Sequence, residues 1–154
     1  MAYDRSNVFA RILRGEIPAH SVFEDAHTLA FMDVMPQADG HALVIPKAEA
    51  ETIFDLAPET LAATILATQR VARAVKRAFD APGVMIAQLN GPAAGQSVFH
   101  VHFHVLPRHA GLELRFHARG MADPAVLAEH AARVRAALDL AAGRPGLPRG
   151  EKAT

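Results

Sequence analysis

The sequence predicts an α+β domain. Stretches with strand patterning and stretches with helical patterning alternate along a chain of 154 residues. Two pairs of strand-like stretches lie close enough together for antiparallel hairpins. Apolar residues make up 51% of the chain, enough for a sizeable core, and the length suits a single domain over 1–142. There are 16 basic and 16 acidic side chains. That balance argues against a general nucleic-acid binder, which depends on excess positive charge. With no cysteine there can be no disulfide and no thiolate metal site. No apolar run of signal-peptide length opens the chain, and none approaches a membrane span. The expectation is a cytoplasmic protein without a membrane partner.

Val8, Phe9, Ile12 and Leu13 share one helical face, and Gly15 and Pro18 end that short helix. Ser21 to Asp25 and Thr28 to Val34 read as two strands around a turn. Residues 35–40 form a loop punctuated by Pro36 and Gly40. His41 to Pro46 reads as a third, well-buried strand. Glu51 to Leu56 suits a helical turn or two. Pro58 fits the first position of a longer helix and Glu59 its first turn. Leu61, Ile65, Thr68, Ala72, Val75 and Phe79 then mark a buried stripe as far as Asp80. Arg70, Arg73, Lys76 and Arg77 read as its solvated face. Val84 to Leu89 is the fourth strand, and residues 90–97 are a loop. Leu112, Leu114 and Phe116 alternate. Asp123-Pro124 caps a helix whose face is Leu127, Ala131, Val134 and Leu138. From Gly143 on, the chain is turn-rich and reads as a disordered tail.

The fifth strand pattern carries the chemistry. In residues 99–106, His100, His102 and His104 alternate with Val101, Phe103 and Val105. Strict alternation puts the three imidazoles on one face of a strand, roughly 6.6 Å apart along it. Such a set supports two chemistries. Neutral imidazoles can hold Zn, Cu or Ni. Alternatively, one ring attacks an electrophile, most naturally phosphorus, while its neighbours position the other groups. Close imidazoles disfavour one another's protonation, so at least one keeps a nucleophilic lone pair near pH 7. The preceding loop, with Gly91, Gly95, Gln96 and Ser97, favours phosphate, because glycines let backbone N–H groups approach an anion. The other histidines, His20, His27, His109, His117 and His130, have no motif context and read as surface residues.

These residues resemble the histidine triad (HIT) superfamily of nucleotide hydrolases and transferases. The signature His-φ-His-φ-His-φ-φ, with φ apolar, is matched at every position from His100 to Leu106. Gly95 to Phe99, Phe31 to Gln37, Gly40 to Lys47 and Gly15 to Ala19 are similar to further blocks of the family. The resemblance implies a five-stranded antiparallel sheet with a long and a short helix, continued into ten strands across a homodimer. It implies that His102 is the nucleophile and that His104 contacts the phosphate and leaving group. His100 and His41 would orient the site. By the same resemblance Asp33 would accept hydrogen bonds from the ribose hydroxyls, a task suited to an acceptor-only carboxylate. Asn90, Gln96 and Ser97 would surround the ribose, phosphate and leaving group. Val8, Phe9, Ile12, Phe31 and Val34 would line the base pocket.

Many relatives carry Cys-x-x-Cys near the start, and two histidines complete a structural zinc site with it. Here three of those four places are Asn7, Ala10 and Glu49, so neither metal nor other cofactor is expected. The implied substrate is a purine nucleotide. The N-terminal half resembles the Hint-like branch, which cleaves nucleoside phosphoramidates. His104 to Arg108 and Gly91 to Gly95 lean toward the Fhit-like branch, which cleaves dinucleoside polyphosphates. A nucleotide-binding regulatory protein with little turnover and a three-histidine metal enzyme are the readings from other classes.

Overall fold

The structure, a computed structural model, describes residues 2–111, 113 and 120–141. The alternating stretch at Leu112, Leu114 and Phe116, His117 and the expected tail from Gly143 lie outside the described residues. Helix α1 spans Val8–Leu13; strands β1, β2 and β3 span Ser21–Glu24, Thr28–Met32 and Ala42–Pro46. A 3₁₀ turn, Ile53–Asp55, precedes helix α2, Pro58–Ala78. Strand β4, Gly83–Gln88, a second 3₁₀ turn at Pro92–Ala94, strand β5, Phe103–Arg108, and helix α3, Pro124–Ala141, follow. The five strands form one antiparallel sheet in the order β1-β2-β3-β5-β4, as expected of an α+β chain with local hairpins.

The β1–β2 turn is held by one carboxylate. Asp25 Oδ1 accepts the backbone N–H groups of His27 and Thr28, at 2.8 and 2.7 Å, and the Thr28 hydroxyl at 2.8 Å. β2 and β3 then pair over five residues, from Thr28 opposite Pro46 to Met32 opposite Ala42. Both strands are buried throughout, because each face of the sheet is covered.

Period-2 alternation sorts their side chains. Ala30, Met32, Ala42, Val44, Phe103 and Val105 join α2 and α3 in the main core. Leu29, Phe31, Leu43 and Ile45 face the other way and pack on Phe9 of α1. The triad has the parity of this second face: His104 is paired with Leu43 on one side and Ala87 on the other.

The buried stripe of α2 differs from the expected one. Thr64, Ala67, Thr68, Val71, Ala72, Ala74 and Val75 are buried, whereas Ile65 is 44% exposed. Small residues let the helix approach the sheet and α3 closely, so the inward face is richer in alanine and threonine than in large apolar groups. The two buried threonines satisfy their hydroxyls on carbonyls four residues back, at 2.7 and 2.8 Å. The helix ends where Asp80 takes a left-handed conformation, φ 45°. In α3 the expected face is joined by His130, which is buried rather than at the surface. Its ring meets Phe79 edge-on, centroids 5.0 Å apart. Among the described residues no helix is long and apolar enough to cross a membrane.

Candidate active site

Two hairpin ends meet at the site. β2 finishes at Met32, and the Asp33 N–H donates to the His41 carbonyl at 2.9 Å. The sheet ladder therefore continues one step and fixes Asp33 beside His41. Gly40, just before, has φ +86°, and a Cβ there would lie 2.6 Å from the Phe79 ring. Only glycine lets the chain turn into β3 at that place.

The triad is not wholly on a strand. β5 begins at Phe103, so His104 alone of the three lies within it. Upstream, the Val101 N–H donates to the Ala50 carbonyl at 2.9 Å instead of to a neighbouring strand, and the backbone of His100 and His102 is irregular. The result is tighter than a regular strand face: the His102 and His104 ring centroids are 4.9 Å apart.

Hydrogen-bond partners assign the ring protons. His102 Nδ1 lies 2.7 Å from the His100 carbonyl, so Nδ1 is the protonated nitrogen and Nε2 keeps its lone pair. His100 Nε2 donates to the Pro46 carbonyl at 2.8 Å, which leaves Nδ1 as an acceptor, and the Tyr3 hydroxyl donates to it. The Gln37 N–H donates to His41 Nδ1 at 3.1 Å; His41 Nε2–H in turn donates to His104 Nδ1 at 2.9 Å. His41 Nε2 also lies 3.4 Å from Asp33 Oδ2.

Burial dominates the electrostatics. It pushes His41 down to about 3, with smaller contributions from His104 and His102, and His104 down to about 4, with His102 adding. Burial also lowers His102 and His100, against the opposing pull of the carbonyls they donate to. Mutual repulsion, the cause expected from the alternating pattern, comes second. The His41–Asp33 approach is therefore a contact of a neutral ring with a carboxylate, not an ion pair. Asp33 is pushed up to about 6 by burial, opposed by the Met35 N–H on its Oδ1 at 2.8 Å.

The remaining sequence-predicted residues divide into two groups. Phe9 and Phe31 are buried, with ring centroids 5.4 Å apart; Phe9 also meets the His102 ring at 5.0 Å. Ile12 packs against the same cluster, whereas Val8 and Val34 are 38% and 44% exposed and do not join it. Leu43, not singled out in the sequence as a site residue, belongs to this cluster and is paired with Phe31 on one side and His104 on the other; in the sequence it shows only as one of the apolar residues of the third strand. Gln96 is buried with both ends engaged: its Oε1 accepts the Gly91 N–H at 2.7 Å, and Nε2 donates to the Glu51 and Val98 carbonyls at 2.7 and 3.0 Å. Asn90 Oδ1 accepts the Ile53 N–H at 2.8 Å and Gln88 Nε2 at 2.9 Å. These two amides clamp the loop to the 3₁₀ turn before α2, while Ser97 is exposed.

Metal chemistry fits the donors poorly. Asp33, His41 and His104 bring ligand atoms within 4.8 Å of one another. However, the Gln37 N–H occupies Nδ1 of His41, so its Nε2 carries a proton and is a donor. His100 has both nitrogens committed to protein partners. At the places where the resemblance implied zinc ligands in relatives, Ala10 has no donor atom and Glu49 pairs with Arg5 at 2.9 Å. Asn7 is the N-cap of α1, its Oδ1 accepting the Ala10 N–H at 2.9 Å. These residues do not form a zinc site.

The family described as "HIT domain" matches residues 14–111. A Hit-like protein involved in cell-cycle regulation from Bartonella henselae, solved with an unknown ligand, superposes with a TM-score of 0.83 at 46% identity, over 88% of this chain and 99% of that one. A Zn-bound histidine triad family protein from Mycobacterium smegmatis gives 0.80 at 40% identity, over 90% and 96%. The adenosine 5'-monophosphoramidase HNT1 of Saccharomyces cerevisiae is 38% identical over 105 residues, 68% of this chain and 64% of that protein.

Proposed function

Because the chain belongs to the HIT domain family, we propose that it is a nucleotide hydrolase that passes a nucleoside monophosphate through a covalent bond to His102. One observation carries this reading above the rest. The Nδ1 proton of His102 is held by a main-chain carbonyl, which leaves Nε2 unprotonated among three further neutral imidazoles. That nitrogen attacks the α-phosphorus; an N–P bond forms, the bond to the leaving group breaks, and the His100 carbonyl stabilises the imidazolium that develops. Water then displaces the histidine from phosphorus and releases the nucleotide. In this scheme His104 donates to the phosphate and leaving group, His41 orients His104 through its Nε2–H, and His100 orients His102. Asp33 Oδ2, the carboxylate oxygen without a backbone donor, takes the ribose hydroxyls, and the Phe9–Phe31 cluster receives the base. Asn90 and Gln96 act by fixing the loop that carries Ser97 to the phosphate.

The substrate class we favour is a purine nucleoside 5'-phosphoramidate or a related adenylate, in line with the name of the yeast relative. The protein would work in the cytoplasm, as a homodimer. The dimer is supported by β4, an edge strand half-exposed along its length with Ile86 outward.

Adenosine phosphoramidate, a lysyl adenylate and diadenosine polyphosphates, offered separately and quenched with base, discriminate the readings. The expected result is adenylate on His102 by mass spectrometry, with the phosphoramidate turned over fastest. His102→Ala should lower turnover by on the order of 10³-fold or more. Undiminished turnover in that variant overturns the reading, and fastest turnover of the polyphosphates moves the protein to the other branch.

A further inference from the structure

We propose that Tyr3 is a positioning residue for the His100–His102 pair, a role that rests on His102 being the nucleophile. Four hydrogen bonds run in one direction. The Ala10 N–H donates to Asn7 Oδ1, so the Asn7 amide cannot turn over and its Nδ2 faces Tyr3. Asn7 Nδ2 donates to the Tyr3 hydroxyl oxygen at 2.9 Å. The phenol proton is thereby directed to His100 Nδ1. His100 Nε2 donates to the Pro46 carbonyl at 2.8 Å. The His100 ring is fully buried and held at both nitrogens, so its tautomer and rotamer are fixed. The same residue supplies the carbonyl that takes the His102 Nδ1 proton.

The geometry makes this more than packing. The Tyr3 hydroxyl is bonded to His100 and Asn7, and its ring meets His100 edge-on with centroids 5.7 Å apart. Its hydroxyl acts through His100 and the His100 carbonyl. The chain of donors also ties residues 3–7 to the triad. Burial holds the Tyr3 hydroxyl above its ordinary titration range, which keeps it a donor at working pH.

Two substitutions isolate the hydrogen bond. Tyr3→Phe keeps the ring and removes the donor. Asn7→Asp keeps an N-cap acceptor but turns the donor into an acceptor, which draws the phenol proton away from His100. Both should lower kcat on adenosine phosphoramidate about tenfold, the scale of a slightly misplaced nucleophile, with KM within about twofold. Both should shift the His100 Nδ1 resonance in imidazole ¹⁵N spectra and move the acid limb of the kcat profile to higher pH, because Nδ1 becomes free to take a proton. Wild-type kcat, pH profile and His100 resonances in Asn7→Asp overturn the proposal, even if Tyr3→Phe does not fold. His102→Ala separates the two readings. Adenylate still captured by the protein in that variant marks failure of the nucleophile assignment. Loss of capture there, with Tyr3→Phe and Asn7→Asp unimpaired, marks failure of the Tyr3 role alone.

Discussion

At the scale of the residue, the carboxylate of Asp33 carries the sharpest prediction for binding. Its Oδ1 is taken by the Met35 N–H, so a ligand meets Oδ2. Asp33→Asn replaces an acceptor by a donor there. A hydrogen bond to a charged group contributes roughly 1.5–3 kcal/mol. KM should therefore rise about tenfold or more while kcat stays within about threefold, and the penalty for a 2'-deoxy substrate should shrink in the variant. Steady-state kinetics on the two substrates measures both. The alternation of His100, His102 and His104 was legible in the sequence, since a spaced motif names its members, whereas His41 and Asp33 were named only through the family resemblance. Tyr3 was not. It lies 97 positions from the ring it touches, and nothing local to it sets it apart from a surface aromatic. The engagement of Gln96 was hidden for a similar reason: its partners are the carbonyls of Glu51 and Val98, which no side-chain pattern encodes.

At the scale of the element, the strands and helices were legible and their inward faces less so. Large apolar side chains drew the expected α2 stripe through Ile65, but the close approach of α2 to α3 and the sheet is made by Ala67, Val71, Ala74 and Val75. Val71→Ala should cost about 2 kcal/mol, from two buried methyl groups and the void left behind. Ile65→Ala should stay within about 0.5 kcal/mol, as at most surface positions. Urea denaturation of the two variants tests which row faces the core. β5 was legible as a strand, but its start was not: whether a histidine upstream of Phe103 joins the ladder depends on where Val101 sends its N–H, and that is Ala50.

At the scale of the whole molecule, the buried imidazoles set the response to acid. His41 and His104 titrate below their unfolded value of about 6.5, near 3 and 4. The unfolded chain binds more protons in that window, so their contribution is present above pH 6.5 and is lost as pH falls toward 4. Asp33 has the opposite sign. Its raised value, near 6, makes the folded state hold the extra proton, so its contribution is full below about 3.8 and lost as pH rises through 6. Two rings outweigh one carboxyl, and the melting temperature should fall between pH 7 and pH 4.5. Asp33→Asn should steepen that fall, and a shallower profile would contradict the assignment. The open edge of β4 yields a second prediction. A charge at Ile86, as in Ile86→Asp, should convert a dimer to monomers in sedimentation. The fate of the protons has a wider consequence. On His41, His100 and His102 the protonation pattern is fixed by main-chain atoms of Gln37, Pro46 and His100. Every amino acid but proline carries an N–H, and every one carries a carbonyl. Point mutations at Gln37 and Pro46 therefore leave the tautomers of His41 and His100 in place, with Gln37→Pro the exception, and a replacement at His100 still offers His102 a carbonyl. The tautomers of these three rings are inherited with the path of the chain, and side chains that do not touch the rings are free to drift toward new leaving groups without disturbing them.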